Sequence, residues 1–271
     1  MIEEDYTMKI IFHEKFYENY TYDPAAAEGR LEPIVKELEG HNYEFITPEP
    51  ATEADILRAH TQGHLWEIEA DPAVSHMAFL AAGGAILAAQ LAYEGTPTFA
   101  VIRPPGHHAS VDSCWGFCYF NNVAVSLLHL NAHEKIKSAF ILDFDLHFGD
   151  GNVNILDSKK NLLRTEILNP LKHEIHNTQN RAEREKEYLD KIAETFNRMD
   201  SFDIIAASAG FDEYEKDWGG KLSTKAYKII GKMMKDFAED KCQGRRYALL
   251  EGGYYHADLG KNVHAFCQGF E

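Results

Sequence analysis

Short apolar runs alternate along this chain with longer stretches of helical periodicity. The runs predict strands at Lys9–His13, Tyr43–Thr47, Thr98–Ile102, Ala139–Asp143, Asp203–Ser208 and Tyr247–Leu250, with a weaker one at Leu162–Leu168. Between them the pattern predicts helices near Ala27–Glu39, Glu53–Ala59, His76–Tyr93, Asn121–Asn131, Arg181–Met199, Ser223–Ala238 and Leu259–Phe266. Such alternation marks an α/β fold, a mostly parallel sheet with helices on both faces. The stretch His76–Tyr93 is nearly all small and apolar and reads as a buried helix. Its polar ends and the Gly83-Gly84 break argue against a membrane span. No linker, low-complexity stretch or internal repeat divides residues 1–271, which predicts a single domain.

The polar clusters fall at telling places on this map. Arg103-Pro104-Pro105-Gly106-His107-His108 follows one predicted strand, and Asp143 to Gly151 closes another. Ala209-Gly210-Phe211-Asp212, with Asp217 beyond, follows a third, and Glu251-Gly252-Gly253-Tyr254 a fourth. All four occupy strand C-terminal ends, where open α/β sheets place their ligand crevices. The densest cluster carries Asp143, Asp145, His147 and Asp150 behind a buried run. Burying one unpaired carboxylate costs roughly several kcal/mol, so packing alone does not account for it. Asp145 and His147 lie two apart and leave an extended backbone on one side, as ligands of a divalent metal would. The third ligand is sought among the acids of the Asp212–Asp217 loop, with Asp217 preferred. The plain alternative makes Asp217 a solvated loop acid before the turn Trp218-Gly219-Gly220. Two carboxylates and one imidazole leave an open position, as a catalytic zinc site requires. The same oxygen-rich set suits manganese or iron(II).

His107 and His108 stand together at a strand exit, with Asp143 and Asp150 spare to orient the imidazoles and set their basicity. One imidazole would take a proton while the other stays charged, in an order the sequence leaves open. Tyr254, behind Gly252 and Gly253, places a phenol where it would donate to a developing oxyanion; Tyr255 shares that spacing. Phe117, Phe120 and Phe148 flank the site, as walls of an apolar channel or as ordinary core. His129 and His133 read as helix-surface residues, His173 and His176 as part of a polar loop. The run Arg181–Glu187 reads as an ion-paired helix face.

A net charge of −16 argues against nucleic acid as a direct partner, since phosphate binding needs a basic face, and modestly favours a cationic substrate such as a lysine tail or polyamine. Cys114, Cys118, Cys242 and Cys267 are too scattered for a disulfide framework, and Cys114/Cys118 lack a second pair for a metal knuckle. Met1–Asp5 is acidic, with neither a basic nor an apolar leader region, so a cytoplasmic location without membrane attachment is the expectation.

Together these residues resemble the histone deacetylase family, which includes acetylpolyamine amidohydrolases and acetoin-utilisation proteins. The matching strings are RPPGHHA at 103–109, GFCYFNN at 116–122, DFDLHFGDG at 143–151, SAGFDEYEKDWGG at 208–220 and LEGGYY at 250–255. Weaker likenesses lie at EGRLEPI, 28–34, and at Asp55–His60. The resemblance implies an arginase-like fold with zinc held by Asp145, His147 and Asp217, the second acid of its loop. It pairs His107 with Asp143 and His108 with Asp150, and makes His108 the general base and His107 an electrostatic partner. Tyr254 resembles the carbonyl-polarising tyrosine. Phe117, with Gly116 before it, resembles one wall of an acyl-lysine tunnel. A potassium ion bound partly by Asp143 and Asp145 is a further implication.

Three departures stand out. The family's usual HHGDG string has Phe148 at its second position here, and the strand ending in Ser-Leu-His with its PGTG loop is replaced by Leu162–Pro170. The segment between His60 and His76 is also short. A reshaped mouth is expected, with Phe148 among the residues nearest the substrate. The function expected is metal-dependent hydrolysis of an N-acyl, chiefly N-acetyl, amide on a lysine, polyamine or related amine. The rivals are a catalytically silent acyl-ligand or partner-binding module and a binuclear manganese ureohydrolase.

Overall fold

The computed structural model describes residues 8–170 and 180–271. The readings of Met1–Asp5, His173 and His176 therefore lie outside the described residues. Seven strands form one parallel sheet in the order β2-β1-β3-β7-β6-β4-β5. They are β1 (Lys9–Ile11), β2 (Glu44–Ile46), β3 (Thr98–Ala100), β4 (Ser138–Asp143), β5 (Arg164–Leu168), β6 (Ile204–Ala209) and β7 (Arg246–Leu250). Every residue of β3, β4, β6 and β7 is buried, as expected where helices cover both faces of a parallel sheet. The edge strand β2 is partly exposed and β5 alternates, which explains why Leu162–Leu168 gave the weaker signal.

The described helices are α1 (Glu32–Gly40), α2 (Glu53–Ala59), α3 (Gln62–Glu69), α4 (Pro72–Tyr93), α5 (Asn122–Ala132), α6 (Asp150–Ser158), α7 (Arg181–Arg198), α8 (Thr224–Lys241) and α9 (His256–Phe270). Local chemistry sets many of their starts. Thr52 and Asp55 form a reciprocal capping box at α2, Asp71 caps α4 ahead of Pro72, and Asn121 and Ser223 cap α5 and α8. Two helices, α3 and α6, escaped the periodicity: α3 is short with a weakly apolar face, and α6 opens inside the acidic cluster. The helix expected from Ala27 begins only at Glu32. A 3-10 turn at Pro24–Ala26 ends just before Ala27, and Gly29 at φ +79° lies in the intervening chain.

α4 is, by length and composition, apolar enough to cross a membrane, yet 67% of its most apolar window is buried within the fold. Its two glycines have a packing role. A β-carbon on Gly83 would overlap the backbone at Glu49–Ala51, and one on Gly84 would crowd Ile102. The chain passing over α4 leaves no room for a side chain there.

Candidate active site

The C-terminal ends of β3, β4, β6 and β7 lie side by side, so the four clusters beyond them meet at one place. Past β4 the chain stays extended long enough for Phe144 N to bond Ser208 O at 3.1 Å before it bends. Asp145 is then buried. Its Oδ2 accepts from Gly252 N at 2.9 Å, and its Oδ1 accepts from His147 N at 2.8 Å. Side chains at Gly210 and Gly252 would collide with this carboxylate, so both positions require glycine. His147 Nδ1 lies 3.3 Å from Asp145 Oδ1 and 3.4 Å from Asp212 Oδ2. The ligand atoms of Asp145, His147 and Asp212 all fall within 4.8 Å of one another.

The preference for Asp217 is thereby corrected. Asp212 is fully buried; its Oδ1 accepts from Leu146 N at 2.9 Å, while its Oδ2 faces the cluster without a hydrogen-bond partner. Asp217 is half-buried and already used. Its Oδ2 accepts from Tyr254 N and Tyr255 N at 2.6 and 2.7 Å, and its Oδ1 from Trp218 N at 2.8 Å. It fixes the turn that carries Tyr254 and does not join the cluster.

The histidines divide into two pairs. His107 Nδ1 is 3.2 Å from Asp143 Oδ2, and its Nε2 is 3.7 Å from Asp145 Oδ1. His108 Nδ1 is 2.6 Å from Asp150 Oδ1, and Asp150 Oδ2 accepts from Trp115 Nε1 at 2.9 Å. Burial disfavours charge on His107, but Asp145 and Asp143 outweigh it and hold its pKa well above the ordinary value. His108 goes the other way: burial and the charge of His107 lower it to about 4 despite Asp150. The carboxylates of Asp145 and Asp212 raise His147 to about 10. Burial beside Asp145 lifts Asp212 to about 7.

A pocket of about 260 Å³ opens over this floor, walled by Trp115, Gly116, Phe117, Trp218 and Tyr254. Phe117 sits at φ +67°, and its ring meets that of Tyr254 edge-on at 6.3 Å. Trp218 stacks on Tyr254 at 4.1 Å and Trp115 on His108 at 3.7 Å. Burial raises the Tyr254 phenol well above its ordinary value, so it stays a proton donor. Phe148 is not among the residues lining the pocket, a second correction. Its carbonyl accepts from Asp150 N at 2.8 Å in the bend that starts α6. Phe120 is buried core.

Four contributors were missed. Trp115 adjoins one matched string and Trp218 lies inside another; both are exposed aromatics, the one signal that would have found them. Glu251 Oε2 accepts from Gly106 N at 2.7 Å and His107 N at 3.2 Å, holding the histidine turn. The fully buried Arg30 donates to the carbonyls of Gly253 and Glu251 and lies 5.4 Å from the Tyr254 ring centre, securing the tyrosine turn.

Comparison with known proteins gives the family. The histone deacetylase domain matches residues 70–270. A "Probable deacetylase" of Methanothermobacter thermautotrophicus is 27% identical over 97% of this chain and 90% of its own. One from Archaeoglobus fulgidus, of the same name, is 30% identical over 90% and 80%. An acetylpolyamine amidohydrolase of Burkholderia pseudomallei is 26% identical over 71% and 62%. The crystal structure of the HDA15 HD domain superposes with a TM-score of 0.79 at 22% identity, covering 97% of this chain and 90% of that one. The chain belongs to the histone deacetylase family and has its α/β fold.

Proposed function

We propose that this protein is a metal-dependent deacetylase that hydrolyses the N-acetyl amide of a lysine, polyamine or related amine and releases acetate. The observation that carries this reading is the convergence of Asp145, His147 and Asp212 with two histidine–carboxylate pairs and Tyr254 around one pocket. The buried Asp212 Oδ2, which makes no hydrogen bond, beside a second buried carboxylate fits a divalent cation, which would offset their repulsion. Zinc is the leading candidate, and iron(II) or manganese suits the same donors. When bound, such an ion supplies Lewis acidity and acidifies water.

The chain's own groups would do the rest. His108, neutral and held by Asp150, accepts the proton released by attacking water. His107, kept charged by Asp143 and Asp145, stabilises developing negative charge and stands ready to protonate the departing amine. Tyr254 donates a hydrogen bond to the carbonyl oxygen as it becomes an oxyanion. Trp115, Phe117 and Trp218 restrict solvent around the acyl group. The charge of −16 and the relative named for acetylpolyamines both support a cationic amine.

The test is acetate release by zinc-loaded protein from matched acetyl-lysine peptides and acetylated polyamines. Turnover of either, lost with a chelator and restored by metal, supports the reading and ranks the two amines. Tight binding without acetate release from any of them would instead make the protein a silent acyl-ligand module.

A further inference from the structure

The outward face of α8 segregates charge along its length. Its exposed charged side chains are first Lys225, Lys228 and Lys232, then Asp236, Glu239 and Asp240. Spacings of three and four residues put them on one stripe, and the half-buried Ile229 and Met233 run along it. A groove of about 620 Å³ borders the stripe on the α9 side, lined by the lysines, both apolar residues, Gln268 and Gly269. A second, of about 330 Å³, lies toward Phe196 and Asn197 of α7.

This order opposes the electrostatics of the helix itself. An α-helix favours acids at its positive N-terminal end and bases at its negative C-terminal end. α8 has no acid in its first turn, where Lys225 stands. Glu239 and Asp240 crowd its last turn, and Lys241 there is paired with Asp240. Helix stability alone does not account for such an arrangement. Intrahelical pairs lie near the change of sign, with Lys232 Nζ 2.8 Å from Asp236 Oδ1 and Lys235 Nζ 3.9 Å from Glu239 Oε1. Nearer the N-terminus, Lys228 Nζ donates to the amide oxygen of Gln268 at 3.2 Å. Neither Lys228 nor Lys225 has an ion pair among the described residues.

A stripe that is basic at one end and acidic at the other complements itself when reversed. About a two-fold axis between Lys232 and Met233, a second α8 runs antiparallel to the first. Lys225 and Lys228 of each copy then face Asp236, Glu239 and Asp240 of the other, and the Ile229–Met233 segments meet across the axis. A closed two-fold dimer requires a self-complementary patch of this kind. The remaining surface of a chain with net charge −16 repels its copies, so the lysine stripe selects where they approach. We propose that this face of α8 is a homodimer interface, with two copies packed antiparallel about that axis. None of the residues lining the active-site pocket belongs to α8, so each protomer keeps its own site.

The test is sedimentation equilibrium of the whole chain at about 100 µM in about 0.1 M salt, where repulsion between charges is screened beyond about 10 Å. Wild type should sediment as a dimer. Lys225→Glu with Lys228→Glu makes both ends of the stripe acidic, and Glu239→Lys with Asp240→Lys makes both basic. Each double variant alone should be monomeric, its association weakened about a hundredfold or more. An equimolar mixture of the two should recover a dimer containing one of each. Both double changes suit the helix dipole, so each variant should keep the helical circular dichroism of wild type. A monomeric wild type, double variants that dimerise as wild type does, or a mixture that stays monomeric would overturn the proposal.

Discussion

His107 and His108 are adjacent in the chain, each faces a carboxylate, and each is almost wholly buried, yet they sit in opposite electrostatic surroundings. The inner pair is closed. Asp143 is fully buried and also accepts from Asn152 Nδ2 at 3.0 Å, so His107 is surrounded by acids and stays charged. The outer pair is open. The Asp150 side chain is 43% exposed and shares itself with Trp115, while His108 lies beside the positive His107 and stays neutral. Two like residues acquire an electrostatic and a basic role because buried acids hold a charge on one, while burial and that neighbouring charge keep the other neutral.

The largest break in this comparison is removal of the base. His108→Ala should lower kcat about a thousandfold, within the range of general-base losses, while leaving zinc content at wild type. Truncating the inner carboxylate should act on the fold. Asp143→Ala leaves a buried imidazolium without its partner and should cost about 3–5 kcal/mol in urea unfolding, against about 1 kcal/mol or less for the exposed Asp150→Ala. Tyr254→Phe removes a donor shared by neither pair and should reduce turnover about a hundredfold at unchanged fold stability.

The pH profile sharpens the same contrast. A base must be neutral to act, and His108 lies at about 4, so activity should stay flat as pH falls from 8 past 6.5, where a free imidazole would begin to fail. Asp150→Asn removes the group that favours its protonation and should move the acid limb lower still. The smallest effect belongs to Trp115→Phe, which keeps the stack on His108 but loses the N–H to Asp150. It should cost about tenfold or less in kcat.

Much of this was legible in the chain. Buried runs ending in Asp143, Ser208 and Leu250 placed the polar clusters at strand ends, and two-residue spacing joined Asp145 to His147. The choice between Asp212 and Asp217 was not legible. Their loop folds back on itself, with Gly219 N bonded to Asp212 O and Asp217 N to Tyr214 O, and this path decides which carboxylate reaches the floor. Arg30 was equally hidden, because its partners are carbonyls 221 and 223 residues away. Phe148 misled for a related reason: adjacency to a ligand says nothing about where the next residue points after a bend.

The most direct measurement is acetate release by Asp212→Asn beside Asp217→Asn, both loaded with zinc under the same conditions. Asp212→Asn should lose its zinc-dependent turnover, and Asp217→Asn, which keeps an oxygen for the Tyr254 and Tyr255 amides, should stay within about tenfold of wild type. Wild-type turnover in Asp212→Asn with loss in Asp217→Asn would contradict the ligand set on which the proposed chemistry stands.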